Sequence, residues 1–253
     1  MGIINLTPDS FSDGGKFNSQ KKALSLAKKM EKEGADILDI GGESTGPGSK
    51  KVSEKEELKR VISTIKAIRK ITKLPISIDT YKAKVAEEAL KAGANIINDV
   101  TAFRGDKRMA NVVKNYGCPI IIMFSKDNTP RTTVKNKKYP DVIKTIKTFL
   151  KKQIKYAKSK GINPKQIIID PGMGQFLSAI PSYSLEIIAR LYELKKLNHK
   201  ILIGISRKSF LGGTMKEREK KALPLSGVAY LNGASILRTH NVKETTEFFK
   251  NFK

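Results

Sequence analysis

Eight short apolar runs, each following a Gly, Pro or Lys-rich break, limit what this 253-residue chain can fold into. They are Met1 to Leu6, Asp36 to Ile40, Pro75 to Ile78, Asn95 to Asn98, Pro119 to Met123, Gln166 to Asp170, Lys200 to Ile205 and Ala234 to Leu237. Nearly every run ends in a polar side chain able to do chemistry: Asn5, Asp39, Asp79, Asn98, Ser125, Asp170, Ser206 with Lys208, and Arg238 with His240. Between the runs, apolar residues recur three and four apart, as in Ala23, Leu24, Ala27 and Met30, or Leu58, Val61, Ile62, Ile65 and Ile68. That is the spacing of a helix with one buried face. Several of these helices stop at a glycine (Gly34, Gly93, Gly117, Gly161, Gly233), as expected where a left-handed turn ends the helix. Strand and helix thus alternate eight times, which predicts an α/β fold of the (β/α)8 TIM-barrel type. Such a barrel takes about 250 residues, so residues 1–253 are expected to form a single domain. An open doubly wound sheet would carry a glycine-rich phosphate loop after its first strand. Here the glycine pairs Gly14-Gly15, Gly41-Gly42 and Gly212-Gly213 fit no such pattern. In a closed barrel the strand-ending polar groups meet at one rim, where barrels of this kind place their active sites.

Charge bears on the choice of partner. With 49 basic against 24 acidic residues the net charge is +25, a balance that would suit a polyanion. Forty of those basic residues are lysines, scattered along the helices as at Lys21, Lys28, Lys144 and Lys151, and tryptophan is absent. Nucleic-acid surfaces cluster arginine and interleave aromatic rings, so no nucleic-acid partner is expected. No apolar stretch approaches the ~20 residues of a membrane helix and no signal-peptide pattern precedes the first run, which predicts a cytoplasmic protein without membrane contact. The single cysteine, Cys118, excludes an internal disulfide and reads as a buried, inert thiol.

At the rim, Asp39, Asp79 and Asp170 end different strands and need donors if they are partly buried. A flat heterocycle with adjacent ring N–H and exocyclic amino groups offers two parallel donors to one carboxylate, much as a guanidinium does. Asn98, which both donates and accepts, can read the remaining edge of such a ring. The plainer reading is that an acid pairs with a barrel lysine or caps a helix, as Asp79 could do before Thr80-Tyr81. Ser206-Arg207-Lys208-Ser209 and Arg238-Thr239-His240 bring cations to the loops after the last two strands, a frequent phosphate site in this fold. His240 there suggests an anion contact, and Asn5 could offer an oxygen to a Mg²⁺ ion recruited by a pyrophosphate.

These motifs resemble those of the dihydropteroate synthases. The resemblance rests on Met1-Gly2-Ile3-Ile4-Asn5-Leu6-Thr7-Pro8-Asp9-Ser10-Phe11-Ser12-Asp13-Gly14-Gly15, Asp39-Ile40-Gly41-Gly42-Glu43-Ser44-Thr45, Ile78-Asp79-Thr80, Ile97-Asn98-Asp99, Asp170-Pro171-Gly172 and Ser206-Arg207-Lys208-Ser209, in that order, followed by Arg238 with His240. It implies a transferase of folate biosynthesis that joins 7,8-dihydropterin-6-ylmethyl diphosphate to 4-aminobenzoate, releasing pyrophosphate. By that resemblance Asp39, Asp79, Asn98, Asp170 and Lys208 bind the pterin. Arg238 stacks on the ring, and Lys208, Arg238 and His240 form the catalytic set. Phe11, Thr45 and Ser209 help hold the benzoate under the first two loops, and Asn5 is the magnesium ligand. A homodimer through outer helices is also implied.

The chain departs from the family pattern mainly on the benzoate side. Gly46 stands where an arginine is usual, which removes a cation and leaves room for a larger aminobenzoate such as one bearing a sugar phosphate. Met173-Gly174-Gln175-Phe176-Leu177 replaces an aromatic-glycine-aromatic stretch, so a stacking wall is expected to be lost. Met123-Phe124-Ser125 replaces a Met-His-Met run. Two alternatives are a pterin-binding module that passes a methyl group to a corrinoid protein and a non-catalytic pterin-binding paralogue. The first would not need the diphosphate site formed by Arg238, His240 and the first loop.

Overall fold

The computed structural model describes residues 1–7 and 15–250, apart from the side chains of residues 15–19. Eight parallel strands pair in sequence order: β1 (Gly2–Asn5), β2 (Leu38–Gly41), β3 (Ile76–Asp79), β4 (Ile96–Asp99), β5 (Ile120–Met123), β6 (Ile167–Asp170), β7 (Lys200–Ile203) and β8 (Ile236–Leu237). The sheet closes on itself, because Gly2 bridges to Thr239, the Ile3 amide donates to the Thr239 carbonyl, and the Thr239 amide donates to the Met1 carbonyl. That closure excludes the open doubly wound sheet. Around the strands run α1 (Gly15–Lys32), α2 (Glu54–Arg69), α3 (Ala83–Lys91), α4 (Met109–Tyr116), α5 (Val142–Ser159), α6 (Pro181–Ala189), α7 (Met215–Leu231) and α8 (Val242–Lys250). Among the described residues no helix is long and apolar enough to cross a membrane.

The expected eighth run, Ala234 to Leu237, supplies only the two residues of β8, both paired to β7. The chain then reaches β1 through the single bridge at Thr239 rather than through a full ladder. The second and third strands begin one or two residues later than expected and extend one residue further, to Gly41 and Asp79. The glycines expected to end helices do take left-handed φ, at Gly34, Gly93, Gly117, Gly161 and Gly233. At Gly117, φ is 60° and a Cβ would meet nothing within 4 Å, so an alanine there suffers only the backbone penalty. Gly117→Ala is expected to cost about 1 kcal/mol, a fall of about 2–4 °C in melting temperature measured by thermal denaturation.

The interior of the barrel fixes where the polar residues go. Met1, Ile96, Ile121, Ile168 and Leu202 form a buried cluster, with Ile37 and Ile236 packed against it. Side chains on a strand repeat every second residue, so the next inward positions are Asp39, Asn98, Met123, Asp170, Gly204 and Arg238. An apolar floor therefore lies one layer below the polar rim. The larger cluster, including Ile4, Leu38, Ile40, Ile78, Ile97, Ile120, Ile122 and Ile169, fills the space between strands and helices. Alternating faces of each short strand thus serve two separate cores, which is why the runs read as almost continuously apolar.

Candidate active site

Above the floor lies a cavity of ≈ 240 Å³ whose wall brings together Asn5, Thr45, Asp79, Asn98, Asp170, Lys208 and Arg238. The remaining expected residues sit elsewhere. Asp39 is fully buried behind Arg238, Ser209 is exposed on the rim, and His240 packs beside Ser206. Phe11 lies outside the described residues. The apolar part of the wall comes from Val100, Met123 and Phe176, which form a cluster of their own, and from Met173. Phe176, two positions beyond the left-handed Gly174, faces this cavity with the Lys208 ammonium 5.2 Å from its ring centre, so the altered stretch after Asp170 still brings one aromatic ring to the cup.

Arg238 spans the cup. Its Nε donates to Asp39 Oδ2 at 2.6 Å and its Nη2 to Asp79 Oδ2 at 2.8 Å. Asp39 also accepts a long bond from Asn98 Nδ2 at 3.5 Å, while its Oδ1 is buried without a hydrogen-bond partner. The possibility that Asp79 caps the following helix does not hold, since the Asp106 carboxylate accepts from the Ala83 amide at the start of α3 and Asp79 serves Arg238. Burial pushes the Asp79 carboxyl up to about 7, with Arg238 pulling it down and Asp39 pushing it further up. Burial also raises Asp170 to about 6, against the bond it accepts from the Gly172 amide and the charges of Lys208 and Arg238. Lys208 is lowered to about 8 by burial and by Arg238, despite Asp170 and Asp79. The cup is therefore poised near neutrality, with acceptors that gain most from a ligand bringing its own donors.

The sequence run Ser206-Arg207-Lys208-Ser209 splits in three directions. Arg207, in the left-handed region at φ 60°, turns out to pair with Glu219 of α7. That strained turn aims Lys208 into the cup. The Ser206 hydroxyl lies 3.0 Å from His240 Nδ1 and accepts from the His240 amide. A hydroxyl proton given to Nδ1 leaves the ring proton of a neutral His240 on Nε2. Burial, then the charges of Arg207, Arg238 and Lys208, lower His240 to about 3, so the anion contact expected of it would come from a neutral ring.

Several residues that were given no role in the sequence reading build the rim. Glu43, whose side chain is almost fully buried, lines the cavity and gathers Lys82, Tyr81, the Val52 amide and Arg131 around one carboxylate. Lys82 also bonds Glu57 of α2, so a buried charge cluster ties the loop after β2 to the one after β3. Arg131 belongs to the long segment after β5, in which Lys126 is buried as well. Each is a single charge in a Lys-rich sequence, and no local spacing marks it. Among the described residues, no group of three or more His, Cys, Asp and Glu could enclose a metal ion.

Residues 1–240 match the family described as pterin binding enzyme. A dihydropteroate synthase of Clostridium beijerinckii is 43% identical over 99% of this chain and 91% of its own length, and one of Bacillus subtilis is 40% identical over 99% and 86%. Among solved structures, the Xanthomonas albilineans dihydropteroate synthase with 4-aminobenzoic acid superposes with a TM-score of 0.92 at 35% identity, covering 100% of this chain and 90% of that one. A Clostridium difficile dihydropteroate synthase in the presence of pteroic acid gives 0.92 at 42%, covering 99% and 94%.

Proposed function

The chain belongs to the pterin binding enzymes, as a transferase of the dihydropteroate synthase family, and on that premise we propose the role of each rim residue. The substrates are 7,8-dihydropterin-6-ylmethyl diphosphate and 4-aminobenzoate. Asp79, Asn98 and Asp170 hold the edge of the pterin, because carboxylates on two strand ends and an amide between them match its adjacent N–H and amino groups. Lys208, from the loop after the neighbouring β7, reaches the ring beside Asp170, and Phe176, Val100 and Met123 cover its faces. Thr45, Ser209 and Phe11 serve the acceptor amine. The observation that carries this reading is the convergence of seven residues from separate strand ends and loops on one cavity of ≈ 240 Å³, suited to a single fused ring.

Loss of diphosphate from the methylene carbon breaks a C–O bond and leaves a cation delocalised into the electron-rich dihydropterin. The nitrogen lone pair of the aminobenzoate then forms the C–N bond and sheds its proton. What the protein must supply is stabilisation of the departing anion and a held nucleophile. Arg238 provides a fixed positive fork, and His240 offers a neutral Nε2–H to a phosphate oxygen. The donor set also suits Mg²⁺ that arrives with the diphosphate. Asn5 lines the cavity with one amide oxygen, and Mg²⁺ is commonly held by few protein ligands together with phosphates and water. There the ion would neutralise charge on the leaving group. The corrinoid-directed alternative has no use for this anion-binding set.

A steady-state assay of pyrophosphate release, with dihydropteroate identified by mass, tests the reading. Release with 4-aminobenzoate supports it, and tight binding of the pterin diphosphate without release would leave a non-catalytic binder. A Cβ at position 46 would meet only Ser44 Oγ, at 3.6 Å, so a panel that includes a ribosylated aminobenzoate defines how large an acceptor the rim admits. Pterin binding is expected to depend on pH. The ring donors favour ionised Asp79 and Asp170, so affinity should rise with pH by up to about 100-fold per unit below about 6, where both carboxyls must lose a proton, by up to about tenfold per unit between about 6 and 7, and level off above that. Calorimetry should register proton release over that window. The empty fold should show the opposite trend: because its two carboxyls titrate above their unfolded values, their contribution to stability falls as pH rises from about 4 to about 7.

We place the protein in the cytoplasm as a homodimer. The support for a second copy is apolar surface grouped on neighbouring outer elements, with Leu185 on α6, Tyr192 just after it, and Val228 and Leu231 on α7 all exposed.

A further inference from the structure

Lys126, in the segment between β5 and α5, has a side chain only 3% exposed yet lines no part of the cavity. Its ammonium lies within hydrogen-bond distance of four oxygens: Asp127 Oδ2 at 2.7 Å, Thr132 Oγ1 at 2.8 Å, and the carbonyls of Thr133 and Gln175, each at 2.7 Å. Asp127 in turn accepts from the Thr132 and Thr133 hydroxyls and the Thr133 amide. Burial would raise that carboxyl, but Lys126 and the Thr133 and Thr132 donors outweigh it and hold it at about 2, so Asp127 stays a carboxylate. A buried ammonium and carboxylate, each with several further partners, is a rigid unit.

Two arms leave this unit toward opposite sides of the cup. On one side the Thr132 amide donates to the Thr45 carbonyl at 3.1 Å, and the adjacent Arg131 pairs with Glu43. On the other, the Lys126 amide donates to the Phe176 carbonyl at 2.9 Å, and the Gln175 side chain donates from Nε2 to Ser209 Oγ at 3.3 Å. A continuous chain of bonds therefore runs from Thr45 through Thr132 and the Gln175 backbone to Ser209, with Lys126 at its centre. Thr45 and Phe176 line the cavity, while Lys126, Asp127 and Thr132 stand behind them.

We propose that Lys126 is a positioning residue for the acceptor amine: it sets the spacing between the Thr45 and Ser209 sides of the rim without touching either substrate. The inference rests on the reading above, in which Thr45 and Ser209 serve the acceptor. The polar groups on the pterin side, Asp79, Asn98, Asp170, Lys208 and Arg238, make no bond to this unit, and Phe176 is joined to it only through the Lys126 backbone amide, which a side-chain substitution keeps, so the two substrates should respond differently.

The test is a KM split. Lys126→Met keeps the apolar stem and removes the ammonium, and is expected to raise KM for 4-aminobenzoate by about tenfold. Affinity for the pterin diphosphate, measured by calorimetry on the same preparation, should stay within about twofold. Thr132→Val, which removes the hydroxyl and keeps the shape, should act in the same direction, and Thr132→Ser should restore the wild-type KM. If Lys126→Met does not fold, the Thr132 pair decides alone. Equal losses for both substrates, or an unchanged aminobenzoate KM, would overturn the proposal. Thr45→Ala and Ser209→Ala separate the two layers: if neither moves the aminobenzoate KM, the acceptor reading fails and the inference with it. If they move it and Lys126→Met does not, the inference alone fails.

Discussion

Arg238→Ala is expected to lower kcat by about 10²- to 10³-fold, the range for removing one preorganised group that meets developing charge. Two losses combine in that variant. The diphosphate loses a cation fixed over the cup, and Asp39 and Asp79 lose the guanidinium that now bonds both, at 2.6 and 2.8 Å. Asp39 is fully exposed to that loss, since it is 0% solvent-accessible and its other oxygen already lacks a partner. Without the arginine, Asp79, whose carboxyl burial and the neighbouring Asp39 already push up, should take up a proton. Arg238→Lys returns a charge but not the planar fork that serves two acids at once, and should recover only part of the rate. Pyrophosphate release measured for the three proteins checks this, and a kcat for Arg238→Ala close to wild type would remove Arg238 from the catalytic set.

The second large effect is expected at Asp79. Asp79→Asn keeps the shape and removes the charge that two ligand donors would share, which should weaken pterin binding by about 1.5–3 kcal/mol, or about 10- to 150-fold. The same carboxylate holds Arg238 in the empty cup. An arriving ring that takes both oxygens of Asp79 is expected to compete with the Arg238 Nη2 bond to Oδ2, while Asp39 still anchors the guanidinium through Nε. Pterin binding and repositioning of the arginine are thus one exchange of donors on a single oxygen pair. Because burial raises Asp79 to about 7 and Asp170 to about 6, the variant should lose the upper part of the pH dependence of binding and keep the lower part. Titration calorimetry of the two proteins between pH 5 and 8 checks both the loss and its shape.

The barrel and most of its rim were legible in the sequence for a specific physical reason. Strand residues alternate faces, so a polar residue two positions beyond a buried isoleucine is carried to the mouth, as from Ile96 to Asn98, Ile168 to Asp170 and Ile236 to Arg238. Left-handed helix ends were legible because glycine is the residue that takes positive φ without strain, and Gly34, Gly93 and Gly161 all do so. The sequence did not reveal what depends on contacts between distant loops. Arg207 and Lys208 are neighbours in the chain and diverge in space, one to Glu219 and one into the cup, through a backbone turn that no residue type announces. His240 beside an arginine suggested an anion contact, but not that burial and three surrounding positive charges would leave its ring neutral. Lys126 and Arg131 could not be told from forty-seven other basic residues until folding buried them. Phe176, which the sequence offered only as part of the altered motif after Asp170, lines the cup at the end of the short turn at Gly174–Phe176.

The central claim is that acids, an amide and cations from strand ends far apart in the chain act as one receptor for a flat, donor-rich ring. A crystal structure of this protein soaked with the pterin diphosphate tests it most directly. The account predicts the ring edge bonded to Asp79, Asn98 and Asp170, the diphosphate beside Arg238 and His240, and the Arg238 bond to Asp79 broken. A ring bound outside this cup, with Arg238 still joined to both acids, would contradict it.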